Sequence, residues 1–176
     1  LVPRLPELVR WAREQGFRRV NVTTNGRTLA NPGTARRLAA AGLTDLLISL
    51  HGPSAEIHDA LTQAPGSFLQ TTLGIRHAVR ECGDGVDLGV NTTIALENAA
   101  CLEETAALVH RLGVRKLNLQ FLTPFGRAQR DIVPDPDVAA GAVRGLLDRW
   151  RDRLAIQVIN LPFCYLPGYE DFLASD

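Results

Sequence analysis

Leu117-Asn118-Leu119-Gln120 alternates aliphatic and amide side chains, and that alternation decides how the fold is read. Successive side chains of a strand point to opposite faces, so Asn118 and Gln120 share one face and Leu117 and Leu119 the other. The same pattern runs through Asn21-Val22-Thr23-Thr24-Asn25, Ile48-Ser49-Leu50-His51 and Val90-Asn91-Thr92-Thr93. Asn21, Thr23 and Asn25 then share a face, as do Ser49 and His51, and Asn91 and Thr93. Helical segments separate these strands, which makes the sheet parallel. Parallel strands covered on both faces read as continuous apolar runs. Here one face carries uncharged hydrogen-bonding groups instead. The pattern fits a curved sheet whose outer face packs on helices and whose inner face lines a polar cavity.

Working outward, Leu5 to Gln15 reads as a helix ended by Gly16, and Arg19 to Thr24 as a strand closed by the turn dipeptide Asn25-Gly26. Pro32 to Ala41 is a short helix with Asn31 as a plausible N-cap, followed by a strand from Asp45 to Leu50. Ser54 and Ser67 are placed to cap two further helices, the second running to about Arg80. Strands over Val86 to Ile94, Val114 to Phe121 and Leu154 to Ile159 alternate with helices over Leu102 to Leu112 and Ala139 to Arg151. Asp131 to Asp137 reads as a Pro/Asp-rich linker, and the tail from Pro162 is irregular with an aromatic cluster. Such alternation is an α/β fold with right-handed crossovers. A flat doubly wound sheet has helices on both faces and no polar inner face, so the pattern favours a partial (β/α) TIM-type barrel. Residues 1–130 are expected to form it, with 131–176 a helix–strand extension and tail. The ligand site is expected at the carboxyl ends of the strands.

The 176 residues suit one ordinary globular core, with 45% hydrophobic side chains. Basic and acidic residues balance at 19 each, which leaves no electrostatic footprint for nucleic acid or an anionic membrane. No apolar run is long enough to span a bilayer. Cys82, Cys101 and Cys164 are scattered, without the C-x-x-C spacing of a zinc or redox site. That points to a reducing compartment, the cytoplasm. The chain starts at Leu1 without Met and reads as a piece of a longer protein, with an open sheet edge expected at Arg19 to Thr24.

Phosphate loops are absent, and no His/Asp/Glu group has metal-ligand spacing. His51 sits at a strand end beside Ser49, placed to orient a ligand or to cap the next helix. His58, His77 and His110 read as surface or packing residues. Glu97 is the main acidic candidate near a strand end, and one carboxylate does not make a hydrolytic pair. Lys116, the only lysine, sits at the start of its strand, the wrong end for a barrel active site. A cavity of Asn, Thr, Ser and Gln is suited to holding a polar, zwitterionic ligand that brings its own reactivity.

Thr23-Thr24-Asn25-Gly26 followed by Ile48-Ser49-Leu50-His51-Gly52, the helix Ser67 to Arg80, Asn91-Thr92-Thr93-Ile94 and Thr123-Pro124-Phe125-Gly126-Arg127-Ala128 together resemble the radical S-adenosylmethionine (SAM) superfamily. The likeness covers roughly Leu1 to Ala128 and is nearest to the branch of molybdenum-cofactor and peptide-modifying enzymes. It implies a radical SAM half-barrel whose first strands lie upstream. It also implies a [4Fe-4S] cluster whose C-x-x-x-C-x-x-C ligands are not in this chain, reductive cleavage of SAM to start radical chemistry, and an external electron donor such as flavodoxin or ferredoxin. By resemblance, Ser49 and Asn91 hold the ribose or carboxylate of SAM with Thr93 as helper, and Phe121 and Leu122 lie against the adenine. Thr24 and Asn25 then line the methionine end, near His51. The substrate implied is a small molecule or a peptide, and the chain alone is expected to be inactive. The tail from Asp131, with Cys164, is where specificity or an auxiliary cluster would reside. Two other readings stand beside this one: a non-catalytic barrel-like binding domain, and a barrel lyase or aldolase using His51 or Lys116.

Overall fold

A computed structural model describes residues 2–124 and 130–174. Helices α1 (Leu5–Glu14), α2 (Thr34–Ala40), α3 (Ala55–Thr62), α4 (Ser67–Cys82), α5 (Leu102–Arg111) and α6 (Pro136–Trp150) alternate with strands β1 (Asn21–Thr24), β2 (Asp45–Ser49), β3 (Asp87–Ile94), β4 (Lys116–Phe121) and β5 (Ala155–Ile159). The strands form one parallel sheet in the order β1-β2-β3-β4-β5. Each strand therefore pairs with its successor and the order never reverses. With right-handed crossovers, every connecting helix falls on the same face of such a sheet. A doubly wound sheet needs a reversal and is thereby ruled out among the described residues. The architecture is α/β with a five-stranded parallel sheet, consistent with a partial barrel.

The helix-covered face is apolar. Leu46, Ile48 and Leu50 from β2 and its end, Val90 from β3, Leu117 and Leu119 from β4, and Val158 from β5 are all buried. They belong to one cluster with Leu38, Ile75, Ala106, Val109, Val143 and Leu147 from the helices. Burying each large aliphatic side chain contributes about 1.5–3 kcal/mol, so this layer carries most of the stability. The cluster runs without a break through α6 and β5.

Helix starts differ from the sequence reading. Neither Asn31 nor Ser54 caps a helix through its side chain, and Ser67 lies inside α4. Two carboxylates from other helices, Asp59 of α3 and Glu81 of α4, take their place. Asp59 accepts from Gly66 N (2.6 Å), Phe68 N (2.7 Å) and Ser67 Oγ (2.8 Å) at the start of α4. Glu81 accepts from Gly33 N (3.1 Å) and Arg36 N (3.3 Å) at the start of α2. Both satisfy orphan N–H groups and place negative charge at positive helix ends. These bonds to the Phe68, Ser67 and Gly66 groups hold the Asp59 carboxyl below its ordinary range. Helix α6 begins inside the expected linker: Asp135 caps it by accepting from Asp137 N and Val138 N, with Pro136 in the first turn. The tail makes two short 3-10 turns and returns to the sheet through a parallel bridge from Leu173 to Val158.

Candidate functional site

The register carries the polar residues into rows. Ser49 pairs with Asn91, Asn91 with Asn118, and Asn118 with Gln157, so one hydrogen-bonding row crosses β2 to β5. Thr93 and Gln120 pair in the next row toward the carboxyl ends. Asn91 Nδ2 donates to Gln120 Oε1 at 3.4 Å and ties the two rows together.

At the ends of β1 and β2 a cavity of about 310 Å³ opens toward α3 and α4, within the range of small-molecule sites. Asn25, Arg27, Ser49, His51, His58 and Thr71 are among its lining residues. A larger cleft of about 570 Å³ lies outside, between α5 and α6, among Glu103, Arg149, Trp150 and Arg153. It is on the helical shell, away from the strand ends.

The β1 turn is held by close packing. Gly26 has φ +75° and its absent Cβ would lie 2.6 Å from Ile48 Cγ2. A Cβ on Gly74 of α4 would overlap the Gly26 carbonyl oxygen. Only glycine at both positions lets α4 approach the turn this closely. Thr71 Oγ1 then donates to Asn25 O at 2.8 Å, and Arg27 Nε donates to Gln70 Oε1 at 2.6 Å.

The β2 and β3 ends are locked by three side chains that the sequence reading did not select. Asn98 is fully buried. It donates to His51 O (2.9 Å) and Thr93 O (2.8 Å) and accepts from Ala95 N (2.8 Å). Thr92 Oγ1 donates to Leu50 O at 2.7 Å. His58, buried in α3, accepts from His51 N through Nδ1 at 3.0 Å, and its ring stacks on His51 with centroids 5.8 Å apart. His58 was expected to be a surface or packing residue; its bond to the β2 end makes it part of the site wall. Its neighbour Asp59, the α4 cap, would have been a signal only to a reader who knew that α3 and α4 meet here.

His51 Nδ1 accepts from Thr93 N at 3.2 Å. Its other ring nitrogen, Nε2, therefore carries the proton in the neutral ring. Burial first, and then neighbouring His58, lower the His51 pKa to about 4. Burial also lowers His58, against the opposing pull of Asp59. The folded value lies below the ordinary 6.5, so the unfolded chain takes up the proton first as pH falls. The stabilisation is fully present above the unfolded value and drains as pH drops toward the folded one. It amounts to roughly 3 kcal/mol at most, at about 1.4 kcal/mol per pKa unit. Urea unfolding at about pH 7 and about pH 4.5 is expected to show this loss, and His51→Gln to remove much of it.

The expected site residues are not all on one face. Asn25, Ser49 and His51 line the cavity, and Asn91 and Thr93 continue from it along β3. Thr24 lies on the opposite face of β1: its buried hydroxyl accepts from Gly26 N at 3.2 Å. Alternation demands this, since Thr23 and Asn25 hold the polar parity. Phe121 shares the parity of Leu117 and Leu119 and packs against the apolar cluster. Leu122 follows it, its N–H donating to Ile94 O at 3.2 Å. Glu97 is exposed. Lys116 is the first residue of β4, at the opposite end from the cavity, and its Nζ is paired with Asp87 at 2.6 Å. Cys164 is exposed. The Phe125-Gly126-Arg127-Ala128 part of the strand-end motif lies outside the described residues. Among the described residues no three His, Cys, Asp or Glu side chains converge as a metal site, and no helix is long and apolar enough to cross a membrane.

Comparison with known proteins gives these rows a context. No family model matches the chain. It is 35% identical over 163 residues to an AdoMet-dependent heme synthase of Nitratidesulfovibrio vulgaris, spanning 93% of this chain and 42% of that protein. It is 34% identical over 108 residues to the mycofactocin maturase MftC of Mycobacterium ulcerans, spanning 61% of this chain and 28% of that one. It is also 32% identical over 122 residues to a probable GTP 3',8-cyclase of Metallosphaera sedula, spanning 69% of this chain and 37% of the other. Among solved structures, the 3-keto-D-glucoside 4-epimerase YcjR of E. coli superposes with TM-score 0.52 at 14% identity, over 97% of this chain and 72% of that one. That likeness concerns the fold alone. The chain is a relative of the radical SAM enzymes. It spans less than half the length of the heme synthase it matches.

Proposed function

We propose that the chain is the SAM-holding and substrate-lining part of a radical SAM enzyme, folded as a TIM-type half-barrel. The observation that carries this reading is the in-register row Ser49–Asn91–Asn118 running to the mouth of a polar cavity. It occurs in a chain whose relatives include AdoMet-dependent enzymes. In this reading residues 1–130 carry the cofactor side and 131–176 extend the sheet and shape the substrate side.

The residues fit SAM. Ser49 and Asn91 offer neutral donors and acceptors to the ribose or carboxylate, with Thr93 beside them. Asn25 lines the methionine end. His51, neutral and with Nδ1 engaged by Thr93, keeps Nε2–H free to donate to a ligand oxygen. At the end of β4, Leu122 has the polar-face parity and supplies the apolar contact for the adenine, while Phe121 backs the strand from the helix-covered face. Thr24 serves from behind by fixing the Gly26 turn. Bound SAM supplies a sulfonium whose reductive cleavage starts radical chemistry in this family. The residues do not fit an iron–sulfur cluster: Cys82, Cys101 and Cys164 lie on separate elements, and no metal-binding group converges among the described residues. Cluster ligands and the docking site for an electron donor such as flavodoxin or ferredoxin are assigned to other parts of the parent protein.

Reconstitution of the full-length parent with iron and sulfide tests this. A brown iron–sulfur chromophore and SAM-dependent release of 5′-deoxyadenosine are expected; absence of both overturns the reading. In the chain itself, Ser49→Ala and Asn91→Ala are each expected to weaken SAM binding by about three- to tenfold, the worth of one hydrogen bond. Unchanged dissociation constants in both variants would remove these residues from the site.

A further inference from the structure

Asn118 and Gln157 are left over when SAM is placed along β1 to β3 with its adenine at the far end of β4, and this inference rests on that placement. Asn118 is 7% exposed, and its Oδ1 is a buried side-chain oxygen with no hydrogen-bond partner among the described residues. Buried polar groups are almost always paired, because an unpaired one forfeits its hydration. In the orientation the structure shows, the unpaired atom is the acceptor of the carboxamide, so what it lacks is a donor. Gln157, its partner in register on β5, is exposed. The two amides stand about 4.8 Å apart along the polar row, the spacing of neighbouring strands.

We infer that Asn118 and Gln157 form a subsite on β4 and β5 that holds the substrate through an uncharged N–H-bearing amide, such as a peptide bond. The buried oxygen of Asn118 requires a donor. Gln157 presents a whole carboxamide, able to give and accept in return. Charge argues against an anionic group here: the cation nearest in register is Lys116, on the same strand, and it is already paired with Asp87. A planar group that donates from N–H and accepts at C=O matches both side chains. The SAM residues and the amide subsite then lie side by side on one row, with the substrate next to the cofactor.

The test follows side-chain NH₂ and backbone resonances of the isotope-labelled full chain. N-acetylalanine methylamide serves as the peptide-bond probe, and N,N-dimethylacetamide as a carbonyl probe without an N–H. The peptide probe is expected to shift the Asn118 and Gln157 NH₂ signals saturably, and dimethylacetamide to bind at least tenfold more weakly. Asn118→Leu, close in size, and Gln157→Ala, at an exposed position that leaves the core intact, are each expected to weaken the peptide probe at least threefold. Equal binding of the two probes, or no shift at Asn118 and Gln157, overturns the inference. SAM added to a second sample reports separately on Ser49 and Asn91. Loss of the SAM shifts with the amide shifts intact rejects the cofactor reading alone, and the reverse pattern rejects this subsite alone.

Discussion

Replacing Asn98 by Ala is expected to destabilise the protein by about 3 kcal/mol or more, because it strands several buried backbone groups at once. Asn98 serves Ala95 N–H, His51 C=O and Thr93 C=O together. Each unsatisfied buried group costs roughly 1–3 kcal/mol. Set against a typical domain stability of about 5–15 kcal/mol, that is a large fraction of the whole. Asn98→Asp is not expected to rescue it. A carboxylate keeps the acceptor for Ala95 but faces two carbonyl oxygens with no proton to give. The effect reaches the site directly, since the two carbonyls belong to His51 and Thr93, whose own side chain and N–H are joined to each other. Urea unfolding measures the loss; a change below about 1 kcal/mol would mean that Asn98 does not clamp the β2 and β3 ends.

Gly74→Ala is the second large effect, and here two terms oppose. Alanine gains about 1 kcal/mol of helix propensity over glycine. The new methyl, however, meets the Gly26 carbonyl oxygen, a backbone atom with no rotamer to escape into. Overpacking of this kind costs about 1–3 kcal/mol, and the cost wins because Gly26 is itself pinned against Ile48. Either α4 withdraws, breaking the Thr71–Asn25 bond, or the Asn25-Gly26 turn moves out of the cavity wall. The expected results are a lower unfolding midpoint and weaker SAM binding in the same variant. Gly141→Ala, in α6 where a methyl meets open space, is the matched control and is expected to be neutral or stabilising. A stabilised Gly74→Ala with unchanged binding would show that the close approach of α4 is not required.

Much of this architecture is legible in local sequence, and the part that is not has a common cause. Alternation in Leu117-Asn118-Leu119-Gln120 and its counterparts placed the strands, and the single polar face pointed to helices on one side, as the unreversed strand order has it. Thr24 was misplaced by grouping it with Asn25 as a lining residue, although strict alternation puts it behind the strand. The caps were missed because Asp59 acts from the preceding helix and Glu81 from 45 or more residues away, while Ser67 and Asn31 were the adjacent choices. The start of α6 was legible in Asp135-Pro136 but was masked by the prolines around it. Asn98 and His58 carry no periodic signal at all. Their roles exist only because the chain brings the ends of β2 and β3 and the start of α3 together.

The polar row and its cavity are tested most directly by titrating SAM into the isotope-labelled chain and mapping the perturbed backbone amides. Shifts that saturate and concentrate at Asn25, Ser49, His51, Asn91 and Thr93 are expected. A map that is silent there, or that centres on the outer cleft around Glu103 and Trp150, would contradict a cofactor site at the strand ends.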